Sequence, residues 1–257
     1  MNFINTVSSS IWTGYIFTLG LVVGSFLNVC IYRLPRKASV ITPRSRCPSC
    51  NSVISIRDNI PILSYILLGG KCRHCKESIS PIYPAIEILT ALFLTAVFLK
   101  FGLTAQAGVY GVTLSALVVI TMIDIKYRII PDSITLPGIA FGFIAGSYLN
   151  GFFPSFIGFL LGGVLFYLLA LVSKGGMGGG DIKLIAALGA LLGWQKVLLV
   201  IFLGSLIGTI YSFPFLLSGK KCRKSLIPFG PFLAVATGLA IFIGKELIII
   251  YLQYMSR

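Results

Sequence analysis

The sequence predicts an all-α polytopic membrane protein of about eight transmembrane helices with a small zinc-binding cytoplasmic loop domain. Three observations predict it. Of 257 residues, 56% are hydrophobic and 11% are charged, where a soluble domain carries about 25% charged residues; mean hydropathy is +0.96. Apolar runs near the length of a bilayer crossing recur along the whole chain. Four of the six cysteines fall as two Cys-x-x-Cys pairs in one Lys/Arg-rich interruption after the first run.

Taken in order, the runs place spans at residues 11–31, 82–100, 104–124, 131–149, 153–173, 182–193, 196–217 and 229–252. The first has no basic segment before it and is long enough to cross, so it is read as a retained helix and not as a cleaved signal. The sixth is short for a crossing and starts at a glycine run. Four-residue glycine ladders mark close helix packing: Gly138, Gly142 and Gly146 in the fourth span, then Gly158/Gly162, Gly189/Gly193 and Gly204/Gly208. Such spacing lets backbones approach in lipid. Most of these read as generic bundle packing, and Gly189/Gly193 as drawing the sixth helix against its neighbours. No internal repeat, low-complexity tract or long linker stands out.

The net charge of +14 raises nucleic acid as a partner. Its distribution excludes that reading, because the charge sits in a few loops between spans and reports membrane orientation. With the N-terminus outside, segments 32–81, 125–130, 174–183 and 218–228 are cytoplasmic and hold 9, 2, 2 and 4 basic residues, 17 of the 21 in the chain. The same assignment puts Asp124 and Asp181 on one, cytoplasmic, side, although neither residue entered the count.

Those two aspartates carry the chemistry. Only seven acidic residues occur in the chain, and an ionisable group at a span is costly and by default a functional candidate. Asp124 ends the run Leu114-Ser-Ala-Leu-Val-Val-Ile-Thr-Met-Ile-Asp124, where its own helix dipole disfavours an anion. Capping therefore does not explain it. Asp181 follows Gly178-Gly-Gly and opens the next run, so it reads either as an N-cap or as the partner of Asp124. Two close carboxylates of which one is charged and one neutral can share a proton and hydrolyse a peptide bond. The glycines offer bare backbone along which a substrate strand could pair. Asp132, after Pro131, reads as an ordinary first-turn acid or as support for the pair. Glu87, a turn into the second span, reads equally as an interfacial side chain reaching head groups or as a contact to a substrate N-terminus or methyl donor.

Cys47-Pro-Ser-Cys50 and Cys72-Arg-His-Cys75 offer four thiolates for one tetrahedral structural zinc per chain. A basic loop is cytoplasmic, and the cytosol is reducing, so disulfides are not expected there. A redox pair is the rival reading, but one Cys-x-x-Cys would suffice for it. Cys30 and Cys222 read as unpaired thiols.

The segments Ile123-Asp-Ile-Lys-Tyr-Arg-Ile-Ile-Pro-Asp-Ser-Ile-Thr-Leu-Pro137 and Gly178-Gly-Gly-Asp-Ile-Lys-Leu-Ile-Ala-Ala-Leu-Gly-Ala-Leu-Leu-Gly193 closely resemble the two signature segments of bacterial type IV prepilin peptidases. So does Gly24-Ser-Phe-Leu-Asn-Val-Cys-Ile-Tyr-Arg-Leu-Pro35, at the end of the first span. These are membrane aspartyl proteases of the GxGD type. The resemblance implies that Asp124 and Asp181 are the catalytic pair and that Gly178 and Gly180 are the motif glycines. It divides the chain into a first transmembrane helix (1–31), a cysteine-rich domain associated with methyl transfer (32–81) and a transmembrane protease domain (82–257). It implies cleavage of the basic leader from prepilins and pseudopilins of type IV pili or type II secretion, at the cytoplasmic face of the bacterial inner membrane. It also implies N-methylation of the new N-terminus by S-adenosylmethionine, for which the residues themselves show no fingerprint. The alternatives are a pure leader peptidase and, from a different class, an ion-coupled transporter using the same two acids.

Overall fold

The structure is a computed structural model that describes residues 2–172, 178–217 and 228–255. Cys222 lies outside the described residues, as do Lys174, Lys220, Lys221, Arg223, Lys224 and Arg257 from the orientation count. The described residues form nine α-helices: α1 Asn2–Arg33, α2 Leu63–Leu67, α3 Ile82–Phe101, α4 Ala105–Tyr127, α5 Asp132–Asn150, α6 Phe152–Val172, α7 Gly179–Leu192, α8 Trp194–Leu217 and α9 Gly230–Met255. All but the short α2 coincide with the eight expected spans. Six of them, α1, α3, α4, α6, α8 and α9, are long and apolar enough to cross a membrane. α7 has only 14 residues, about 21 Å of helix. α5 is diluted by Asp132, Ser133, Thr135 and three glycines.

The chain divides into two compact units, Met1–Val119 and Ile120–Arg257. In the first, α1 packs along α3. The contact is close because α1 turns glycines toward α3. A methyl at Gly20 would overlap the Ala91 backbone, and one at Gly24 would come within 2.6 Å of Glu87 Cα. Asn28 Nδ2 donates to Tyr83 O at 3.1 Å and ties the end of α1 to the start of α3. This Gly20/Gly24 ladder has the same spacing as those singled out in the sequence.

In the second unit α7 is the packing centre. It lies against both α5 and α6, and every residue from Leu184 to Leu192 is buried. A helix that is apolar on all sides belongs in an interior, so α7 needs no lipid-matching length of its own. The glycine ladders of its neighbours converge on it. Gly142 and Gly162 meet the Ala187 and Ile185 carbonyls, where a Cβ would stand 2.6 and 2.8 Å away. Gly146 meets the Ala190 carbonyl, and Gly158 and Gly189 face each other backbone to backbone. Asn150 Nδ2 donates to Leu191 O at 2.9 Å and fixes the far end. Most of the ladders that the sequence left as generic packing therefore set the position of the helix that carries Asp181. Gly204 and Gly208 instead receive Phe232 and Leu233 of α9, so α8 holds α9 in the same manner.

Candidate active site and candidate metal centre

Asp124 sits one turn before the end of α4, whose last carbonyls are closed by Arg128. That residue takes a left-handed φ of 56° and donates its N–H to Asp124 O at 2.8 Å. The Asp124 side chain is 5% exposed. Its Oδ2 accepts the Gly230 N–H at 2.9 Å, and Gly230 is the first residue of α9. The unfavourable end of its own helix is thus offset by the favourable end of another, where unpaired N–H groups and the helix dipole attract an anion. Asp124 does cap a helix, though not the one it belongs to. A Cβ on residue 230 would stand 2.8 Å from Asp124 Oδ2, so the contact requires glycine.

Asp181 lies in the first turn of α7, its N–H bonded to Gly178 O at 3.1 Å. It is half-buried and close enough to Asp124 for the two carboxylates to repel. Both acids are therefore held at helix N-termini, one of α7 and one of α9. Asp181 Oδ1 is buried, and no hydrogen-bond donor reaches it among the described residues.

The surrounding motif residues fall into distinct roles. A Cβ on Gly180 would stand 2.8 Å from Ile130 Cβ, so this glycine lets the start of α7 press against the loop before α5. Gly179 has open space around it, and Gly178 borders Asp181 Oδ2, with 3.2 Å available to a Cβ. Asp132 Oδ1 pairs with Lys183 Nζ at 2.7 Å. That ion pair ties the first turn of α5 to the second turn of α7, although an exposed pair contributes at most about 1 kcal/mol. Glu87 belongs to the first unit. It is 7% exposed, so it does not reach out to head groups. Its Oε2 accepts the Ile62 N–H at 2.8 Å, and Ile62 holds a φ of 60°, which is unusual for a β-branched residue. Glu87 thus pins the turn that leads into α2.

Cys47, Cys50, Cys72 and Cys75 come together, their sulfurs all within 4.8 Å of one another. Cys47 and Cys75 Sγ are 3.8 Å apart. A tetrahedral ion with metal–sulfur bonds of about 2.3 Å separates its sulfurs by about 3.8 Å, so the four fit zinc. The two knuckles are built alike. Cys47 N–H donates to Ser52 O at 2.9 Å and Cys72 N–H to Glu77 O at 2.8 Å; Asn51 and Lys76 return their N–H groups to Cys47 O and Cys72 O at 2.9 and 3.1 Å. Asn51 and Lys76 both take left-handed φ values, 58° and 60°. Each knuckle closes with a short bridge, Arg46 to Val53 and Lys71 to Ser78. Arg46-Cys-Pro-Ser-Cys-Asn-Ser-Val-Ile-Ser55 and Lys71-Cys-Arg-His-Cys-Lys-Glu-Ser-Ile-Ser80 are in fact an internal repeat, contrary to the first reading of the sequence. The thiols are uneven. Bonds from the Ser52 hydroxyl and N–H bring Cys50 down to about 6. Against the lowering effect of the Glu77 N–H, desolvation and the neighbouring sulfurs push Cys75 up to about 12. A dication among the four sulfurs removes that conflict.

Two family profiles match the chain: the bacterial peptidase A24 N-terminal domain over residues 18–101 and the type IV leader peptidase family over residues 111–213. The chain is 38% identical to a prepilin leader peptidase/N-methyltransferase of Pseudomonas aeruginosa, over 92% of each chain. It is 34% identical to one of Bacillus subtilis, over 93% of this chain and 97% of that protein. The chain belongs to the type IV prepilin leader peptidase/N-methyltransferase family. No solved structure matches it. Within this family frame the cysteine knuckles and Glu87 fall in the N-terminal match and both aspartates in the leader peptidase match. Gly230 lies beyond both matches, and sequence reasoning missed it. The available signal was Pro228-Phe-Gly-Pro231, a glycine between prolines at a helix start, but the sequence does not connect that glycine with Asp124.

Proposed function

We propose that this protein cleaves the leader peptide from type IV prepilins and pseudopilins at the cytoplasmic membrane face, with Asp124 and Asp181 as its catalytic pair, and N-methylates the new N-terminal residue. The observation that carries the proposal is the meeting of two carboxylates at two helix N-termini, inside a bundle whose glycine contacts fix both helices. The charged member of the pair takes a proton from water as the water oxygen attacks the scissile carbonyl carbon. The neutral member gives its proton to the carbonyl oxygen. Collapse of the resulting diol breaks the C–N bond, and the proton passes to the departing amine. The Gly230 N–H holds Asp124 in place throughout, while Asp181 Oδ1, to which no donor reaches among the described residues, is left to exchange the proton. Gly178 leaves bare backbone beside Asp181 for the substrate strand, and the Asp132–Lys183 pair steadies the helix start behind it. The cysteine cluster holds a structural zinc, Glu87 braces its loop, and S-adenosylmethionine supplies the methyl group in the second step. The basic loops, 32–81 above all, keep this face toward the cytoplasm and its anionic lipids.

Incubating purified protein with a prepilin, with and without S-adenosylmethionine, tests both steps. Mass spectrometry should show loss of the leader in either case and one added methyl group only with the donor. Cleavage without methyl transfer would leave a pure leader peptidase. Cleavage should be bell-shaped in pH. The acid limb appears when both carboxyls are neutral and no base remains, the alkaline limb when both are charged and no acid remains. A chelator should cause no immediate loss of cleavage, because two carboxylates and water suffice; instant loss reversed by zinc would point to a metalloprotease instead.

The glycines give a sharper comparison. Gly180→Ala forces a methyl against Ile130 and should lower cleavage by roughly tenfold or more, since overpacking of about 1–3 kcal/mol falls on the first turn of α7. Gly179→Ala enters open space and should cleave within about twofold of the parent, as a surface change of about 0.5 kcal/mol allows. Equal rates for the two variants would show that the contact with Ile130 does not set the position of Asp181.

A further inference from the structure

The segment from Ile56 to Leu67 is turned inside out. Its polar Ser64 is buried, with Oγ accepting the Ile60 N–H at 2.9 Å and donating to Arg57 O at 3.0 Å. Its large apolar side chains point outward: Ile56, Ile60, Leu63, Ile66 and Leu67 are all exposed, Ile66 at 66% and Leu67 at 76%. Leu63, Ile66 and Leu67 occupy one face of α2, at i, i+3 and i+4. None of these residues lies in a span, so lipid tails beside a transmembrane helix do not account for them.

Basic side chains border the same surface. Ile56 lines an open concavity of about 550 Å³ together with Arg44, Ser55, Arg57, Asp58 and Arg73. Arg73 is engaged by Asp58, at 2.6 Å, and holds that carboxyl below the usual carboxylate range. Arg44 and Arg57 are exposed. The loop that carries all of this has nine basic residues and two acids over 32–81, and it is tethered at both ends to membrane-spanning helices, α1 ending at Arg33 and α3 starting at Ile82. Apolar side chains beside guanidinium groups, held within reach of a bilayer, are the composition of a segment that lies in the head-group layer.

We infer that residues 56–67 form an interfacial anchor that seats Ile60, Leu63, Ile66 and Leu67 among the acyl chains at the membrane surface while Arg44 and Arg57 bind the phosphates of anionic lipids. The anchor holds the cysteine knuckles flat against the bilayer. It is independent of the peptidase chemistry and needs neither substrate nor methyl donor.

The test reconstitutes the full-length Leu67→Trp protein into nanodiscs of phosphatidylcholine alone or mixed with phosphatidylglycerol, with lipids brominated at shallow or deep acyl positions. The unsubstituted protein supplies the background of Trp12 and Trp194. The new indole should be quenched by shallow bromines in the anionic discs and shielded from aqueous iodide. Adding Arg44→Gln and Arg57→Gln should lower the docked-to-undocked ratio about 30-fold, since each basic group near an anionic surface contributes about fivefold. An indole open to iodide in both lipids would overturn the anchor. Shielding from iodide without bromine quenching would overturn it too, by showing that protein and not lipid covers the surface.

Discussion

Asp124→Asn and Asp181→Asn should each lower leader cleavage by roughly 10⁴-fold or more, as loss of one member of a catalytic unit does elsewhere. Asparagine is the informative replacement because it preserves shape. At position 124 an amide oxygen can still accept the Gly230 N–H that Asp124 now receives at 2.9 Å, so α9 keeps its tie and the bundle should keep its melting temperature. What is lost is the ability to exchange a proton with water and substrate. At position 181 the amide replaces a carboxyl whose Oδ1 has no donor among the described residues, so no bond at that oxygen is broken. The double variant should be no slower than either single, because the pair acts as one group. Gly230→Ala should give an intermediate result: the N–H remains, but the new methyl would crowd Asp124 Oδ2 at 2.8 Å and move the carboxylate. A prepilin cleavage assay beside a thermal melt separates the outcomes. Parent-like cleavage by either Asn variant would remove the pair from the mechanism, and a collapsed melt would make its role structural.

The sequence made the two acids legible because charge is so rare here that each ionisable residue near a span demands a reason. It made the four-cysteine cluster legible because two pairs of cysteines at two-residue gaps in one short loop have few uses other than holding a metal. The same reasoning failed where a partner lies far along the chain. Nothing local to Asp124 names Gly230, which is 106 residues away, so the helix that stabilises the carboxylate stayed invisible and capping was set aside too early. The glycine ladders were read correctly as close contacts, but a ladder marks only its own side of an interface. That those of α5 and α6 both face α7 follows from the packing, as does the use of a 14-residue helix at the centre of a bundle. From sequence Glu87 reads equally as a lipid or a substrate contact, because its acceptor role toward Ile62 depends on a left-handed turn that no residue type announces. The knuckle repeat was present in the letters. It is faint there because the two copies share cysteines and backbone geometry more than side chains.

Cys72→Ser with Cys75→Ser should reduce the metal content of the purified protein from about one zinc per chain to near none. Structural zinc bound by four thiolates contributes an apparent 10–16 kcal/mol to a small domain, and two remaining thiolates cannot hold the ion in a closed tetrahedral shell. The second knuckle should open first, since the Lys71 to Ser78 bridge and the left-handed Lys76 have little apolar burial around them. Proteolysis should then reach residues 70–80, which should resist it in the parent. Leader cleavage should persist, because the aspartate site is assembled within the second unit, from residues between Asp124 and Gly230. Methyl transfer should fall more steeply. Elemental analysis, limited digestion and the two activity assays on one preparation read all of this together. Unchanged zinc in the double variant would exclude the four-cysteine site. Equal loss of both activities would show that the knuckles support the whole enzyme and not the methyl-transfer step alone.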